Sequence, residues 1–224
     1  MLPWTLLASA RIPADGGELT LHQRGSELSI RVGSYELMNS RVHGSEDALA
    51  LLVVERLGAR SKQRLLIGGL GMGFTLMAVL RQVDAATEVV VAELVPEVVA
   101  WHRGPLASVS NGAIDDPRVV IREVDVARLL KSERAAFDAI LLDVDNGPRG
   151  LTSPHNDWLY SAAGLQAARA ALRRGGILAV WSAGPDAAFT RRLQQSGFAV
   201  DEVPVRGRGA AGGSRFLIWI ARRD

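Results

Sequence analysis

Between residues 64 and 143 the chain alternates short apolar runs with helical segments, and no other feature limits its possible folds as tightly. Residues 64–68, 88–93, 119–122 and 139–143 have the length and apolar content of buried strands, and residues 75–80, 96–101 and 127–131 read as the helices between them. A strand that rejoins its sheet through a helix runs parallel to its predecessor, by a right-handed crossover. A longer helix over 161–173, stopped by Gly175-Gly176, leads to a fifth buried strand at 177–181. A helix near 187–196 then precedes two strands, 199–205 and 215–221. Only residues 206–214 join those two, too few for a helical crossover, so they pair antiparallel. The expected fold is α/β: a methyltransferase-like (Rossmann-like), mostly parallel seven-stranded sheet with helices on both faces.

Ahead of it the period is two. Leu19 and Leu21, then Leu28, Ile30 and Val32, then Tyr35 and Leu37 alternate in short runs broken by Arg24-Gly25-Ser26 and Gly33-Ser34, which predicts a small antiparallel β meander. Ser45-Glu46-Asp47 opens a helical run over 48–57, with acids in its first turn and Gly58 just beyond its end. The change of period near residue 44 divides the chain into an N-terminal meander region, 1–43, and a nucleoside-binding domain, 44–224.

Composition removes several function classes. The chain has no cysteine, so disulfides, thiolate metal sites and cysteine nucleophiles are excluded, and four scattered histidines give no metal-binding pattern. The uncharged stretch 65–80 is too short and too rich in glycine to span a bilayer, so no membrane partner is expected. Ala8-Ser9-Ala10 resembles a signal cleavage site but follows no basic segment, and the expectation is a cytoplasmic protein. Net charge is +2, and the basic cluster Arg206, Arg208 and Arg215 sits among glycines without interleaved aromatics, a solvated hairpin rather than a nucleic-acid groove.

The first strand runs into Gly68-Gly69-Leu70-Gly71-Met72-Gly73 before a helix. Glycines let backbone amides approach a ligand closely. Twenty residues past Gly73, Glu93 ends the second strand, where a carboxylate can accept hydrogen bonds from both ribose hydroxyls. Gly68, Gly69, Gly71, Gly73 and Glu93 are therefore candidate cofactor-binding residues. The turn lacks the Lys-Ser/Thr of a phosphate-binding loop, and no hydride-handling residues are evident. Asp125, after the third strand, either binds an adenine amine or caps the helix that follows it, and the two roles are compatible. Asp143 ends the fourth strand and Asp145 follows within Val144-Asp145-Asn146-Gly147-Pro148. Carboxyl ends of parallel strands face the ligand crevice, so both are candidate catalytic acids, although Asp145 also fits plain turn chemistry.

Together these residues resemble the spermidine/spermine synthase (polyamine aminopropyltransferase) family of the methyltransferase-like superfamily. The resemblance rests on Ile67-Gly68-Gly69, on Glu93 with Pro96-Glu97-Val98-Val99, on Asp116-Pro117-Arg118-Val119 with Asp125 nine residues after Asp116, and on Phe137 through Asp143. It implies that Glu93 binds the ribose, Asp125 the adenine amine, and that Asp143 takes a proton from an attacking amine. The co-substrate implied is decarboxylated S-adenosylmethionine or S-adenosylmethionine, with a small-molecule amine or polyamine as partner, no metal, and a homodimer as the working assembly.

The chain departs from the family at three places. Leu70-Gly71-Met72 carries no acid where the family's loop recognises the aminopropyl end. The family's Asp-Ser-Ser-Asp-Pro is replaced by Asp143-Val-Asp-Asn-Gly, which makes Asp145 the nearest second acid. Ser45-Glu46-Asp47 stands for the family's Tyr-His-Glu, so that Glu46 or Asp47 could join the acid pocket. Trp158 and Tyr160 offer aromatic walls or core packing. Three readings stay open: aminopropyl transfer, small-molecule methyl transfer, and a catalytically silent nucleoside-binding relative.

Overall fold

The computed structural model describes residues 2–13, 17–58, 61–144, 147–148, 157–209 and 212–224. Two sheets organise them. Strands β1 (Thr5–Arg11), β2 (Glu18–Arg24), β3 (Glu27–Val32) and β4 (Tyr35–Asn39) form an antiparallel meander in chain order. The larger sheet has seven strands. Parallel β5 (Arg64–Gly68), β6 (Glu88–Glu93), β7 (Val119–Glu123), β8 (Phe137–Leu142) and β9 (Leu172–Ser182) are joined by the hairpin of β10 (Phe198–Arg206) and β11 (Arg215–Arg223), in the order β10-β11-β9-β8-β5-β6-β7. The hairpin inserts β11 antiparallel beside β9.

From β5 the chain steps outward to β6 and β7, then returns across β5 to β8. The strand order reverses between β5 and β8, the position at which open α/β sheets form a ligand crevice.

The central strands are apolar throughout because both of their faces are covered. Leu65, Ile67, Val89, Val91, Ala139 and Leu141 point to one side, toward α1 (Gly44–Leu57), α2 (Phe74–Leu80) and α3 (Pro96–Trp101). Leu66, Val90, Ile140 and Leu142 point to the other, toward α5 (Val126–Ser132), α7 (Ala162–Ala171) and α8 (Ala187–Gln195), beyond the short α4 (Ala107–Ser110) and α6 (Asp157–Tyr160). Each fully buried Leu or Ile contributes roughly 1.5–3 kcal/mol. Leu19, Leu21, Leu28 and Ile30 of the meander join the first of these two clusters, so the small sheet packs on the α1–α3 side and roofs the crevice. None of the described helices is long and apolar enough to cross a membrane.

Three elements differ from expectation. Residues 5–11 have no period-two pattern yet form β1. Ala10, 6 % exposed, lies opposite Leu19, and a small side chain packs there without the bulky alternation that marks a strand. The glycine pair 175–176 does not cap α7. The helix ends at Ala171 because Leu172 already pairs with Phe137, and the glycines form a bulge within β9, where a Cβ on Gly176 would lie 2.8 Å from the Arg173 carbonyl oxygen. The β10–β11 turn is not a free hairpin: Gly207 accepts the Gly44 amide at 2.8 Å. A Cβ on Gly44 would come within 2.6 Å of the Gly209 nitrogen, so only glycine lets this turn seat on the start of α1.

The Asp116-Pro117-Arg118 segment is a brace. Arg118 pairs with Asp116 at 2.9 Å and donates to the carbonyls of Leu80 and Val83, each at 3.0 Å, tying the entry to β7 onto the end of α2. The guanidinium holds the Asp116 carboxyl down at about 2.

Candidate active site

A cavity of about 480 Å³ lies between the meander and the carboxyl ends of the parallel strands. Gly69, Gly71, Glu93, Asp125 and Asp143 all reach it. Asp145 lies outside the described residues, as do Asn146 and His155.

The glycine bend is held on two sides. Glu93, 7 % exposed, accepts the Leu70 amide at 2.8 Å on Oε2 and the Val95 amide at 2.9 Å on Oε1. Burial raises its carboxyl above the ordinary range, against the pull of amide bonds from Val95, Leu70, Gly71 and Leu94. A carboxylate has about four acceptor positions, and the two close amide bonds, from Leu70 and Val95, leave room for further partners. On the other side His102, only 2 % exposed, donates from Nε2 to the Gly71 carbonyl at 2.9 Å. Burial pushes the imidazole pKa down, which keeps it neutral and leaves Nε2–H as the donor. Gly69 sits at φ +85°, and a Cβ there would lie 2.8 Å from the Asp143 carbonyl oxygen, so the bend and the end of β8 touch only because this residue is glycine.

Asp125 accepts the Ala127 amide at 2.8 Å on Oδ1, capping α5, while it lines the cavity. Both readings of this residue are thus compatible with its position. Gly68 and Gly73 flank the bend without lining the cavity. A Cβ on Gly68 would meet Leu142 at 3.0 Å, and Gly73, at φ +82°, lies against His102.

At the other end stand two acids. Asp143 accepts the Thr75 hydroxyl at 2.6 Å on Oδ2. Burial raises its carboxyl pKa, partly offset by that bond. Glu46, 7 % exposed in the first turn of α1, accepts the Ser45 hydroxyl at 2.5 Å. Burial and then the nearby Asp143 charge push the Glu46 carboxyl up to about 7. Asp47, the neighbouring candidate, does not join them. It is bound to Arg81 at 2.6 Å and to His43 at 2.8 Å, in a separate surface depression. One helical step separates an acid that lines the cavity from one that serves the surface.

Thr75 and His102 escaped the sequence reading, because a lone Thr or His inside a helical run carries no pattern. Of the two roles open to Trp158 and Tyr160, the structure gives them packing. Tyr160 packs edge-on to Phe189 and donates to the Val144 carbonyl at 3.2 Å, and Trp158 lies under the Lys131 ammonium at 4.2 Å. The rings that line the cavity are Tyr35, Trp181 and Phe216, the last two with centroids 5.0 Å apart.

Among the described residues the cavity is lined by five carboxylates, Glu36, Glu46, Glu93, Asp125 and Asp143, and by no Lys, Arg or His. Glu36, at the rim, is engaged by Ser29 at 2.7 Å and Asn39 at 2.9 Å. No group of three or more metal-ligating side chains occurs among the described residues.

The family model of the spermine/spermidine synthase domain matches residues 48–188. The chain belongs to the spermine/spermidine synthase family. It is 30% identical over 193 residues to the polyamine aminopropyltransferase of Mycobacterium tuberculosis (strain CDC 1551 / Oshkosh), a match covering 82% of this chain and 35% of that protein. It is 33% identical over 136 residues to polyamine aminopropyltransferase 2 of Pseudomonas aeruginosa, covering 58% of this chain and 36% of that one. The chain therefore spans about a third of the length of these curated relatives. Among solved structures, a spermidine synthase from Thermotoga maritima superposes with a TM-score of 0.76 at 18% identity, covering 98% of this chain and 73% of that one. A spermidine synthase in complex with the transition state analogue AdoDATO gives 0.75 at 18% identity, over 98% and 72%. At that identity the two structures establish the fold, and it is the methyltransferase-like fold of the spermidine synthase family.

Proposed function

We propose that this chain transfers an aminopropyl group from decarboxylated S-adenosylmethionine to an amine acceptor. The observation that carries this reading is the sign of the cavity: carboxylates at both ends and no cationic side chain among its described lining. Such a wall suits a sulfonium and ammonium groups. The carboxylate of intact S-adenosylmethionine would meet Glu46 and Asp143 with no positive partner, which disfavours methyl transfer. The family's curated members named polyamine aminopropyltransferase support the same class of reaction.

In this reading the glycine bend and Glu93 hold the ribose, and Asp125 presents its uncapped oxygen to the adenine amine. The meander of residues 1–43 roofs the site built on 44–224. The acceptor amine gives a proton to Asp143. Its freed lone pair forms the new C–N bond at the aminopropyl carbon attached to sulfur, and the C–S electron pair leaves on sulfur as methylthioadenosine. Thr75 orients Asp143 by fixing one carboxylate oxygen, so the other is aimed at the proton it receives. Holding amine and sulfonium in line supplies much of the remaining acceleration.

Calorimetry with S-adenosylmethionine, its decarboxylated form and methylthioadenosine, each with and without putrescine or spermidine, tests the assignment. Mass detection of the aminopropylated amine completes the test. Preference for the decarboxylated form with release of methylthioadenosine is expected. Tighter binding of the intact form, with a methylated product, would overturn it.

A further inference from the structure

Glu46 is the acid of the cavity that the glycine bend does not supply. It comes from the first turn of α1, which reaches the cavity because Gly44 is clamped to Gly207 of the β10–β11 turn. The same turn carries Phe216 inward: a Cβ on Gly207 would lie 2.8 Å from the Phe216 ring and 2.9 Å from Val42. Two carboxylates and two rings thus converge on one corner. Each carboxylate has one oxygen tied to a hydroxyl, Glu46 Oε2 to Ser45 and Asp143 Oδ2 to Thr75. Glu46, a residue more than nine-tenths buried, has besides Ser45 only its own backbone amide as a hydrogen-bonding partner among the described residues. In the facing wall the Trp181 indole Nε1–H is buried with no acceptor among the described residues. Buried polar groups are normally satisfied, so this orphaned donor, across from two crowded acids, marks a place that a ligand completes.

We propose that Glu46 is a specificity-determining residue: with Asp143 and against the Trp181–Phe216 rings, it clamps a primary ammonium group of the substrate. The inference rests on the functional reading above and names what that site selects. An ammonium has three donors, enough for two carboxylate oxygens, and its charge is favoured over an aromatic face. The neighbouring acid on the same helix, Asp47, is paired with Arg81 at 2.6 Å and adds to the field at Glu46 less than Asp143 does. Burial and that field keep part of the Glu46 population protonated near neutral pH, so cation binding strengthens as pH rises and Glu46 ionises.

Two substrates carry such an ammonium, the aminopropyl donor and the acceptor, and the test separates them. Calorimetry compares the parent with Glu46→Gln using methylthioadenosine, decarboxylated S-adenosylmethionine, and putrescine added to protein saturated with methylthioadenosine. Unchanged affinity for methylthioadenosine is expected, with a loss of about tenfold or more for one ammonium probe. Loss for the decarboxylated compound places the donor's tail in the clamp, and loss for putrescine alone places the acceptor there. In the parent the same affinity rises between pH 6 and 8, and in Glu46→Gln that rise flattens. The proposal is overturned if both ammonium probes bind the variant as they bind the parent, if neither binds the parent, or if methylthioadenosine weakens equally. Should the variant not fold, a flat pH profile in the parent overturns it alone, and a rise supports it. A parent that binds no methylthioadenosine overturns the functional reading and this inference together.

Discussion

The two ends of the cavity are built in opposite ways. The end at the glycine bend, where we propose the nucleoside binds, is backbone held by backbone-directed bonds: Glu93 accepts the amides of Leu70 and Val95, and His102 grips the Gly71 carbonyl. All of these residues belong to one strand–helix–strand–helix stretch. The other end, where we propose the amine binds, is side chain held by side chain, with Glu46 from α1, Asp143 just after β8, Thr75 from α2 and Trp181 from β9. Each end keeps one buried, unpaired ring nitrogen among the described residues, His102 Nδ1 at the first and Trp181 Nε1 at the second, and only the second adds two mutually repelling acids. On the proposed reading the nucleoside meets a bend already held in place, and discrimination falls where two acids are crowded together.

The largest effect that separates the two ends is on turnover. Asp143→Asn is expected to lower kcat by about 10²–10⁴-fold while methylthioadenosine binds normally, because the variant loses only the proton acceptor. Single-turnover kinetics beside calorimetry would check it, and a matching loss of nucleoside affinity would erase the division between the ends.

Next comes stability as a function of pH. Glu46 has its folded pKa raised from 4.5 to about 7, so between those values the native state binds more protons than the unfolded chain. The stabilisation is fully present below 4.5 and is lost as pH rises toward 7, by a few kcal/mol at most. Urea unfolding of the parent at pH 5 and pH 8 should show this decline, and Glu46→Gln should show much less of it. At pH 8 the variant should be the more stable protein. A parent whose stability rises over that range would contradict the strained-acid picture.

The smallest expected effect lies at the nucleoside end. Glu93→Gln keeps one acceptor oxygen and leaves one of two buried amides unpaired, at a cost of about 1–3 kcal/mol in unfolding free energy with weakened methylthioadenosine binding. Chemical denaturation reads the first and calorimetry the second. An unchanged protein would mean that the bend stands without its carboxylate.

Much of this was legible in the amino-acid order. Apolar runs at 65–68, 89–92 and 139–142, bounded by charges or glycine and alternating with helical segments, read as strands covered on both faces, and the Gly69–Gly73 bend with Glu93 carries its spacing locally, so one βαβ unit specifies the proposed nucleoside end. β1 was not legible, because small residues pair without bulky alternation. Nor was the early end of α7, where pairing of Leu172 with Phe137 overrides the glycine stop signal. At the proposed amine end the sequence offered Asp143, Asp145 and either Glu46 or Asp47, of which Asp145 lies outside the described residues, but which face of α1 meets the cavity, and that Trp181 and Phe216 approach it, depends on the seating of the β10–β11 turn on Gly44. The reason is physical: chemistry carried by neighbours in the chain is written in their spacing, whereas chemistry made by segments more than a hundred residues apart exists only once tertiary packing has brought them together.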